Sequence, residues 1–286
     1  MIRKPCVSGL FYEADKQLLE SSLKNIFNNT KQIISKESNK KRETYAAVVP
    51  HAGYVYSGKT ASYAFAKIAE DTLPDTIIIL GPNHTGYGDT ISLTTNEVWK
   101  TPLGNIEIDT EFNNELEKIN SNVTFSQIAH IKEHSIEVEL PFLQYISKIK
   151  QDTFKLVPIV ITQQEKDICI QLAESIYEVS KKLNRDCIII ASTDLTHYES
   201  SQLAKNKDKK ILKSIEDMDT ESLISNINKY QISMCGYGPT ITATFYSKLV
   251  NANTSIILNY SNSGDAFGDY ESVVGYTSAI MKKIEE

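Results

Sequence analysis

Cysteine is scarce in this sequence of 286 residues, and no two cysteines lie close together. The four are Cys6, Cys169, Cys187 and Cys235, without a CxxC pair. Such spacing argues against a zinc ribbon and against the disulfide framework of a small secreted domain. Cys169 and Cys187 have apolar neighbours in the sequence, which is typical of small buried hydrophobic residues.

Long apolar runs are missing as well. The first residues lack the hydrophobic stretch of a signal peptide, and no segment approaches the length that is needed to cross a bilayer. Together with the cysteine usage, this predicts a protein of the reducing cytoplasm without a membrane partner. The sequence also contains no glycine-rich phosphate loop, no nucleophile elbow and no HExxH motif.

An excess of positive charge is absent: 30 basic residues stand against 36 acidic ones, for a net charge of −6. The basic clusters at residues 40–42 and 205–210 are interleaved with Asn, Glu or Asp, which indicates a solvated surface. The overall field opposes polyanionic partners. We therefore expect no nucleic-acid binding.

The sequence does contain a regular alternation of apolar runs and helical patterns. The runs at residues 45–49, 76–80 and 187–191 have the length and composition of strands that are buried on both faces. Segments with helical spacing separate them. The alternation predicts an α/β protein, a single domain over residues 1–286, with a mixed sheet covered by helices on both faces.

Local features carry narrower expectations. Asp15 is predicted to cap a helix. A loop at residues 51–58 is expected to precede a second helix near residue 60, and its two glycines are expected to let the backbone approach a ligand closely. Pro141 is expected to kink the helix around it. Pro158, inside an apolar run, predicts an edge strand or a bulge.

Each of the three buried runs is followed by side chains that can bind a metal or move a proton. His51 follows the first run, His84 the second, and Asp194 and His197 the third. In open α/β sheets, ligands bind outside the carboxyl ends of the strands. One histidine in a loop is ordinarily a satisfied polar residue, but two in matching positions favour a shared site.

Cys235 is the natural third ligand, because it lies beside glycines at the start of a predicted helix. The helix dipole is expected to favour its thiolate there. Two imidazoles and a thiolate suit zinc, iron or copper rather than magnesium or calcium. Three protein donors leave a position open for water, oxygen or substrate, which is typical of reactive sites.

Other candidates keep two interpretations each. Asp194 either caps a helix or orients an imidazole, and His197 is either exposed or an acid–base group beside the metal. His134 precedes a predicted helix and is either a surface residue or a further acid–base group. Tyr54 and Tyr237 lie beside the candidate ligands in the sequence, so they are candidates for lining a substrate pocket.

The stretches that carry these residues resemble the Memo family, also called AmmeMemoRadiSam system protein B, along almost the whole chain. In chain order the similar stretches are Ser8-Gly9-Leu10-Phe11-Tyr12, Pro50-His51-Ala52-Gly53-Tyr54, Gly81-Pro82-Asn83-His84, Glu133-His134-Ser135, Ser192-Thr193-Asp194-Leu195-Thr196-His197-Tyr198, Cys235-Gly236-Tyr237-Gly238-Pro239 and Ser263-Gly264-Asp265. Two positions depart from the family pattern: Glu13 stands where proline is usual, and Thr193 where serine is frequent.

The resemblance implies a three-layer α/β/α fold similar to that of the LigB-type class III extradiol dioxygenases, which are non-haem iron enzymes. It also implies a metal pocket at His51, His84 and Cys235, with Asp194 and His197 close by. Dioxygenases of that fold use two histidines and a carboxylate, so the cysteine argues against ring cleavage. Animal relatives are described as adaptors that bind phosphotyrosine peptides and as copper- or iron-linked redox proteins. Prokaryotic relatives are named for association with a radical SAM protein and an AMMECR-type protein.

Three functions are therefore weighed. The first is a metal-dependent redox protein or oxidoreductase of unidentified substrate, with Fe(II) as the expected metal and copper or zinc as alternatives. The second is a non-catalytic module that binds a peptide or a partner protein in the same pocket, with Tyr54 and Tyr237 as recognition residues. The third is a metal hydrolase, which is disfavoured because no carboxylate is evidently placed as a base beside a zinc-bound water.

Overall fold

A nine-stranded mixed sheet occupies the centre of the molecule. The structure is a computed structural model, and it describes residues 1–39 and 42–284. The strands are β1 (Ile2–Arg3), β2 (Thr44–Val49), β3 (Thr76–Pro82), β4 (Ile91–Leu93), β5 (Val98–Thr101), β6 (Gly104–Glu107), β7 (Val123–Phe125), β8 (Lys155–Ile161), β9 (Cys187–Ser192), β10 (His197–Glu199), β11 (Thr254–Asn262) and β12 (Val273–Lys282). The large sheet has the order β10-β12-β2-β9-β3-β8-β4-β7, and β11 pairs with β12. Strands β1, β5 and β6 form a separate small sheet.

The four central strands β2, β9, β3 and β8 run parallel to one another. Side chains of β3 alternate between the two faces, so that Ile78 and Leu80 pack into one hydrophobic core and Ile77 and Ile79 into the other. Each of the three predicted apolar runs is confirmed as a buried strand, one or two residues longer than expected.

Helices cover both faces of this sheet. They are α1 (Lys16–Asn29), α2 (Tyr54–Ile68), α3 (Thr110–Ile119), α4 (Gln127–Ile131), α5 (Leu140–Lys150), α6 (Lys166–Lys182), α7 (Ser201–Glu216), α8 (Thr220–Tyr230), α9 (Tyr237–Leu249) and α10 (Gly264–Phe267). Helices α1, α2 and α5 share one core, and α3, α6, α7, α8 and α9 share the other. The expected three-layer α/β/α arrangement is confirmed. Asp15 caps α1, as predicted, by accepting the N–H groups of Gln17 and Leu18.

Pro158 lies in an interior strand, so the expectation of an edge strand or a bulge is wrong. Strand β8 pairs with β3 on one side and, from Ile159 onward, with β4 on the other. On that second side the carbonyl of Leu156 accepts the N–H of Asp109 at 2.9 Å. Because backbone polar groups alternate along a strand, the nitrogen of Pro158 faces the same side, one residue before pairing with β4 begins. Its missing N–H therefore interrupts no pairing with β4.

Two helical features also differ from expectation. Helix α2 begins at Tyr54, six residues earlier than predicted, and Gly58 lies within it. A Cβ atom on Gly58 would lie 3.1 Å from Cδ1 of Ile26, so this glycine permits close packing of α1 on α2 rather than approach to a ligand. Pro141 causes no kink, because α5 begins one residue before it and the missing N–H falls in the first helical turn.

The basic run at residues 205–210 lies on α7, where Lys205 and Lys209 are exposed as expected but Asp208 is buried. Of the basic cluster at residues 40–42, Lys40 and Lys41 lie outside the described residues. Within residues 1–39 and 42–284, none of the helices combines the length and apolarity that crossing a membrane requires.

Candidate metal centre

The predicted ligands meet at the carboxyl edge of the parallel strands. In β2, β3 and β9 alike, a polar side chain follows the last strand residue by two positions, and these side chains are His51, His84 and Asp194. Cys235 reaches the same edge from the loop that precedes α9. Parallel strands end on one side of a sheet, which brings together residues that are remote in sequence.

His51 is buried and held at three atoms. Its N–H donates to Oδ1 of Asp194 at 2.9 Å, and its Nδ1 lies 2.7 Å from Oγ of Ser192. Its Nε2 lies 3.3 Å from Sγ of Cys235. Burial, together with the neighbouring His84, keeps the pKa of His51 well below its usual value. The imidazole is therefore neutral at neutral pH, as a metal ligand must be.

His84 is oriented by a buried carboxylate. Glu133 accepts the N–H of His84 at 2.7 Å and its Nδ1 at 2.9 Å, and it also accepts the N–H of Ser135 at 2.9 Å. Burial raises the pKa of Glu133, but these hydrogen bonds outweigh it and lower the pKa to about 2. An ionised carboxylate can only accept, so the proton of His84 is on Nδ1 and the lone pair is on Nε2.

Cys235 is packed tightly against the end of β9. Its Sγ accepts the N–H of Asp194 at 3.2 Å, and a Cβ atom on Gly236 would lie 2.4 Å from the carbonyl oxygen of Ser192. The glycine that follows the cysteine is therefore required for this approach. Burial raises the pKa of the Cys235 thiol to about 12. The expectation that the helix dipole favours the thiolate is thus wrong for the protein alone, because burial outweighs a helix that begins only two residues later.

These donors fit a single transition-metal ion. One ligand atom from each of His51, His84 and Cys235 lies within 4.8 Å of the other two. A zinc–nitrogen bond of about 2.1 Å and a zinc–sulfur bond of about 2.3 Å at a tetrahedral angle place the donor atoms about 3.6 Å apart. Two imidazoles and a sulfur suit zinc, iron or copper. The predicted ligand set is therefore brought together as a group that could hold a metal.

Asp194 and His197 lie beside this group in different ways. Asp194 is buried, accepts the N–H of His51 instead of capping a helix, and places Oδ2 4.0 Å from Nε2 of that ring. Burial raises the pKa of Asp194 to about 7. His197 begins β10 and points Nδ1 at the carbonyl oxygen of Ser233 at 2.9 Å. Burial lowers the pKa of His197, and the residue does not belong to the group of close donors found among the described residues.

His134 is half-buried rather than on the open surface. Its ring stacks on His84 with centroids 4.6 Å apart and meets His51 edge-on at 5.4 Å. Its Nδ1 lies 3.6 Å from Oε1 of Glu133, and burial lowers its pKa. His84, Glu133 and His134 form a second group of close donor atoms, but both oxygens of Glu133 already accept hydrogen bonds.

The two tyrosines that were predicted to line a pocket differ in exposure. Tyr54 is buried at the start of α2, where its hydroxyl donates to the carbonyl oxygen of Val138 at 2.7 Å and its ring packs on Phe142. Tyr237 is the first residue of α9 and is half-buried. Of the two, only Tyr237 keeps appreciable surface for contact with a ligand.

Three residues that shape the site had no role assigned from the sequence: Glu133, Ser192 and Glu139. The hydroxyl oxygen of Ser192 lies 2.6 Å from the carbonyl oxygen of Ser135 and 3.1 Å from Oε1 of Glu139. A glutamate between two apolar residues, and a hydroxyl at the end of a buried strand, are the signals that could have indicated Glu139 and Ser192. Both are polar groups at positions where burial requires a partner.

Fold and site together define an α/β protein with a candidate transition-metal centre at the edge of its sheet. The chain belongs to the family described as Memo-like protein, whose sequence profile matches residues 3–280. It is 41% identical to a MEMO1 family protein of Methanobrevibacter smithii, over 99% of this chain and 100% of the relative. It is 40% identical to a MEMO1 family protein of Sulfolobus acidocaldarius, over 97% of this chain and 98% of the relative.

Among solved structures, an uncharacterised protein of Escherichia coli K12 has a similar fold. Its TM-score is 0.56 at 11% sequence identity, and the match covers 83% of this chain and 99% of that chain. At such low identity the likeness concerns the fold alone.

Proposed function

We propose that this Memo-family chain is a metal-dependent redox protein or oxidoreductase that holds Fe(II), or else copper or zinc, at His51, His84 and Cys235. The observation that supports it most is the convergence of three donor atoms within 4.8 Å of one another. A bound iron ion would supply one-electron chemistry at a position that three protein donors leave open.

The surrounding residues supply orientation and proton transfer in this proposal. Glu133 holds the proton of His84 at Nδ1, which turns Nε2 toward the shared point. Asp194, His197 and His134 are the groups available to exchange protons with a substrate. Burial raises the pKa of Asp194 and lowers the pKa of both histidines, which favours the neutral form of each group.

Metal analysis of protein purified without oxygen tests the proposal. We expect about one iron or copper ion per chain, lost in His51→Ala and in Cys235→Ala. The matched control is Cys169→Ala, which removes another buried thiol on α6 and is expected to keep the metal. Trace metal that is equal in all four proteins would contradict a metal centre.

Equal trace metal in all four proteins would favour the non-catalytic binding module instead. Half-buried Tyr237, two residues beyond Cys235, supports that alternative because it could contact a bound peptide. A stoichiometric zinc ion with esterase activity would favour the hydrolase. Oxygen consumption with catechols tests ring cleavage, and we expect little. Association with radical SAM and AMMECR-type proteins belongs to the proposal through family resemblance alone.

A further inference from the structure

The hydroxyl of Ser192 lies behind His51, on the side of the ring away from the candidate metal position. Its oxygen has three polar neighbours: Nδ1 of His51 at 2.7 Å, the carbonyl oxygen of Ser135 at 2.6 Å, and Oε1 of Glu139 at 3.1 Å. All four side chains are buried. Buried polar atoms are ordinarily paired, and all three distances are those of hydrogen bonds, so a hydrogen is expected between the two heavy atoms of each contact.

Counting hydrogens assigns the direction of each contact. A serine hydroxyl carries one hydrogen, and a backbone carbonyl carries none, so the 2.6 Å contact requires Ser192 to donate to Ser135. Once that hydrogen is used, the 2.7 Å contact with His51 requires the ring nitrogen to be the donor. The proton of His51 is then on Nδ1, and the lone pair is on Nε2.

The third neighbour of Ser192 is subject to the same count. With its hydrogen given to Ser135, the hydroxyl oxygen can only accept from Glu139, and only a protonated carboxyl group can donate. Burial keeps the pKa of Glu139 well above its usual value, and the nearby Asp194 raises it further, while the contact with Ser192 acts in the opposite direction. A neutral Glu139 is thus consistent with both the geometry and the burial.

We propose that Ser192 and Glu139 are a positioning pair for His51: Ser192 holds the ring proton at Nδ1, and a neutral Glu139 fills the remaining lone pair of Ser192. Nε2 of His51 is thereby presented unprotonated toward Cys235, 3.3 Å away. His84 reaches the same state through a different partner, the carboxylate of Glu133. The significance of the pair for ligand binding rests on the proposed metal-binding function.

Nitrogen-15 NMR of histidine-labelled protein, measured without metal above the pKa of its imidazoles, reads the tautomer directly. The ring of His51 is assigned by its loss in His51→Ala. We expect a protonated Nδ1 and an unprotonated Nε2. A protonated Nε2, or an even mixture of the two tautomers, would overturn the assignment.

Substitution of Ser192 tests whether it is the cause. In Ser192→Ala we expect a mixed tautomer and a dissociation constant for Co²⁺ that is about 10- to 100-fold higher, the usual effect of losing a group that orients a metal-binding histidine. The matched control is Ser278→Ala, which removes a buried hydroxyl from β12 and is expected to change neither quantity. A folded Ser192→Ala protein that keeps a pure Nδ1–H tautomer would refute the role of Ser192.

Substitution of Glu139 tests its protonation. Infrared spectroscopy at neutral pH should show the carbonyl band of a protonated carboxyl group that Glu139→Gln removes. Glu139→Gln should also keep the Nδ1–H tautomer of His51, because an amide N–H donates to Ser192 as a protonated carboxyl does. The absence of a protonated-carboxyl band that is lost in Glu139→Gln, or a changed tautomer in that variant, would show that a neutral glutamate is the wrong description.

The two proposals fail separately. A pure Nδ1–H tautomer in a protein that binds no Co²⁺ would leave the positioning pair intact and contradict the metal centre. A protein that binds Co²⁺ tightly but has the Nε2–H tautomer of His51 in its metal-free form would support the metal centre and contradict the positioning pair.

Discussion

At the residue scale, the two candidate imidazole ligands are held by partners of different charge. His84 donates Nδ1–H to the ionised Glu133, whereas His51 faces the uncharged hydroxyl of Ser192. A carboxylate partner makes an imidazole a stronger electron donor to a metal than a neutral partner does. The two rings are therefore expected to contribute unequally to metal affinity.

Replacing Glu133 with glutamine tests this inequality. The amide oxygen can still accept hydrogen bonds, but the side chain carries no charge and its NH2 group cannot accept. We expect the dissociation constant for Co²⁺ to rise about 10- to 100-fold. Titration followed by visible absorption measures it, with Glu107→Gln, an exposed side chain on β6, as the control. Equal affinity of Glu133→Gln and the unsubstituted chain would show that the carboxylate does not tune the ring.

The members of the candidate donor group were predictable from the sequence, and their supporting residues were not. His51 and His84 follow apolar runs that indicate buried strands. Their location at the same edge of the sheet then follows from the geometry of parallel strands. Glu133 and Ser192 act on His84 and His51, which lie 49 and 141 positions away in the sequence. Such contacts depend on how loops pack over the sheet, which the periodicity of a sequence does not encode.

At the scale of elements, the loop before α9 delivers Cys235 by pressing its backbone against the end of β9. Gly236 makes the approach feasible, since a Cβ atom there would lie 2.4 Å from the carbonyl oxygen of Ser192 and 2.6 Å from Cβ of Thr193. The position of the sulfur is thus set by the absence of a side chain on the next residue.

Gly236→Ala is expected to push this loop away from β9. The clash should lower the free energy of unfolding by about 1–3 kcal/mol, as overpacking of a close contact does, and it should raise the dissociation constant for Co²⁺ at least tenfold. The control is Gly53→Ala, whose new Cβ would lie at ordinary contact distance, 3.5 Å, from Phe11. Urea unfolding and metal titration measure the two effects. Comparable values for both alanine variants would contradict the close-approach explanation.

The elements also show where sequence patterns mislead. Glycine inside a helix and proline inside a strand normally break those structures. Gly58 is nevertheless helical because α1 packs closely on it, and Pro158 lies in an interior strand because its nitrogen faces a gap before β4 begins. In both cases the compensation comes from a neighbouring element that the local sequence does not specify.

At the scale of the whole molecule, a buried ion pair fastens the first residues to the segment that carries Glu133. Nη1 of Arg3 lies 2.5 Å from Oε2 of Glu137, and both side chains are buried. Arg3 also donates to the carbonyl oxygen of Glu133 at 2.7 Å, and its guanidinium stacks on Trp99. Glu137 in turn accepts the hydroxyl of Tyr12 at 2.6 Å. The N-terminal segment thereby braces the loop that orients His84.

This network predicts how stability depends on pH. Burial raises the pKa of Glu137, but Arg3 and the hydrogen bonds outweigh it, so that its folded pKa lies below the ordinary value of a glutamate. A depressed pKa stabilises the folded state above the pKa of the unfolded chain, about 4.3 for a glutamate, and the contribution is lost as pH falls toward the folded pKa. The free energy of unfolding should therefore decrease in that range, by at most about 1.4 kcal/mol per pH unit for this group.

Urea unfolding at a series of pH values from about 3 to about 7 measures how the free energy of unfolding changes with pH. Glu137→Gln should be less stable at pH 7, by about 3–5 kcal/mol, because Arg3 is left buried without its partner, and its slope at acid pH should be shallower. The exposed control Glu107→Gln should keep both values. An unaltered acid slope in Glu137→Gln would exclude Glu137 as the titrating group.

The overall class of fold followed from the alternation of strands and helices, but the strand order did not. Both the run at residues 45–49 and the run at residues 187–191 have the composition of central strands, yet nothing in either indicates that they lie side by side. Pairing of strands that are more than a hundred residues apart is decided by the packing of the whole chain.

The donors of the candidate centre also impose an order on the making of this protein. Both imidazoles belong to the first third of the chain, whereas the sulfur is at position 235. A growing polypeptide on the ribosome thus contains two of the three donors long before the third is synthesised. Binding of a cation by all three donors would have to wait until Cys235 has been added, so it would belong to maturation rather than to early cotranslational folding.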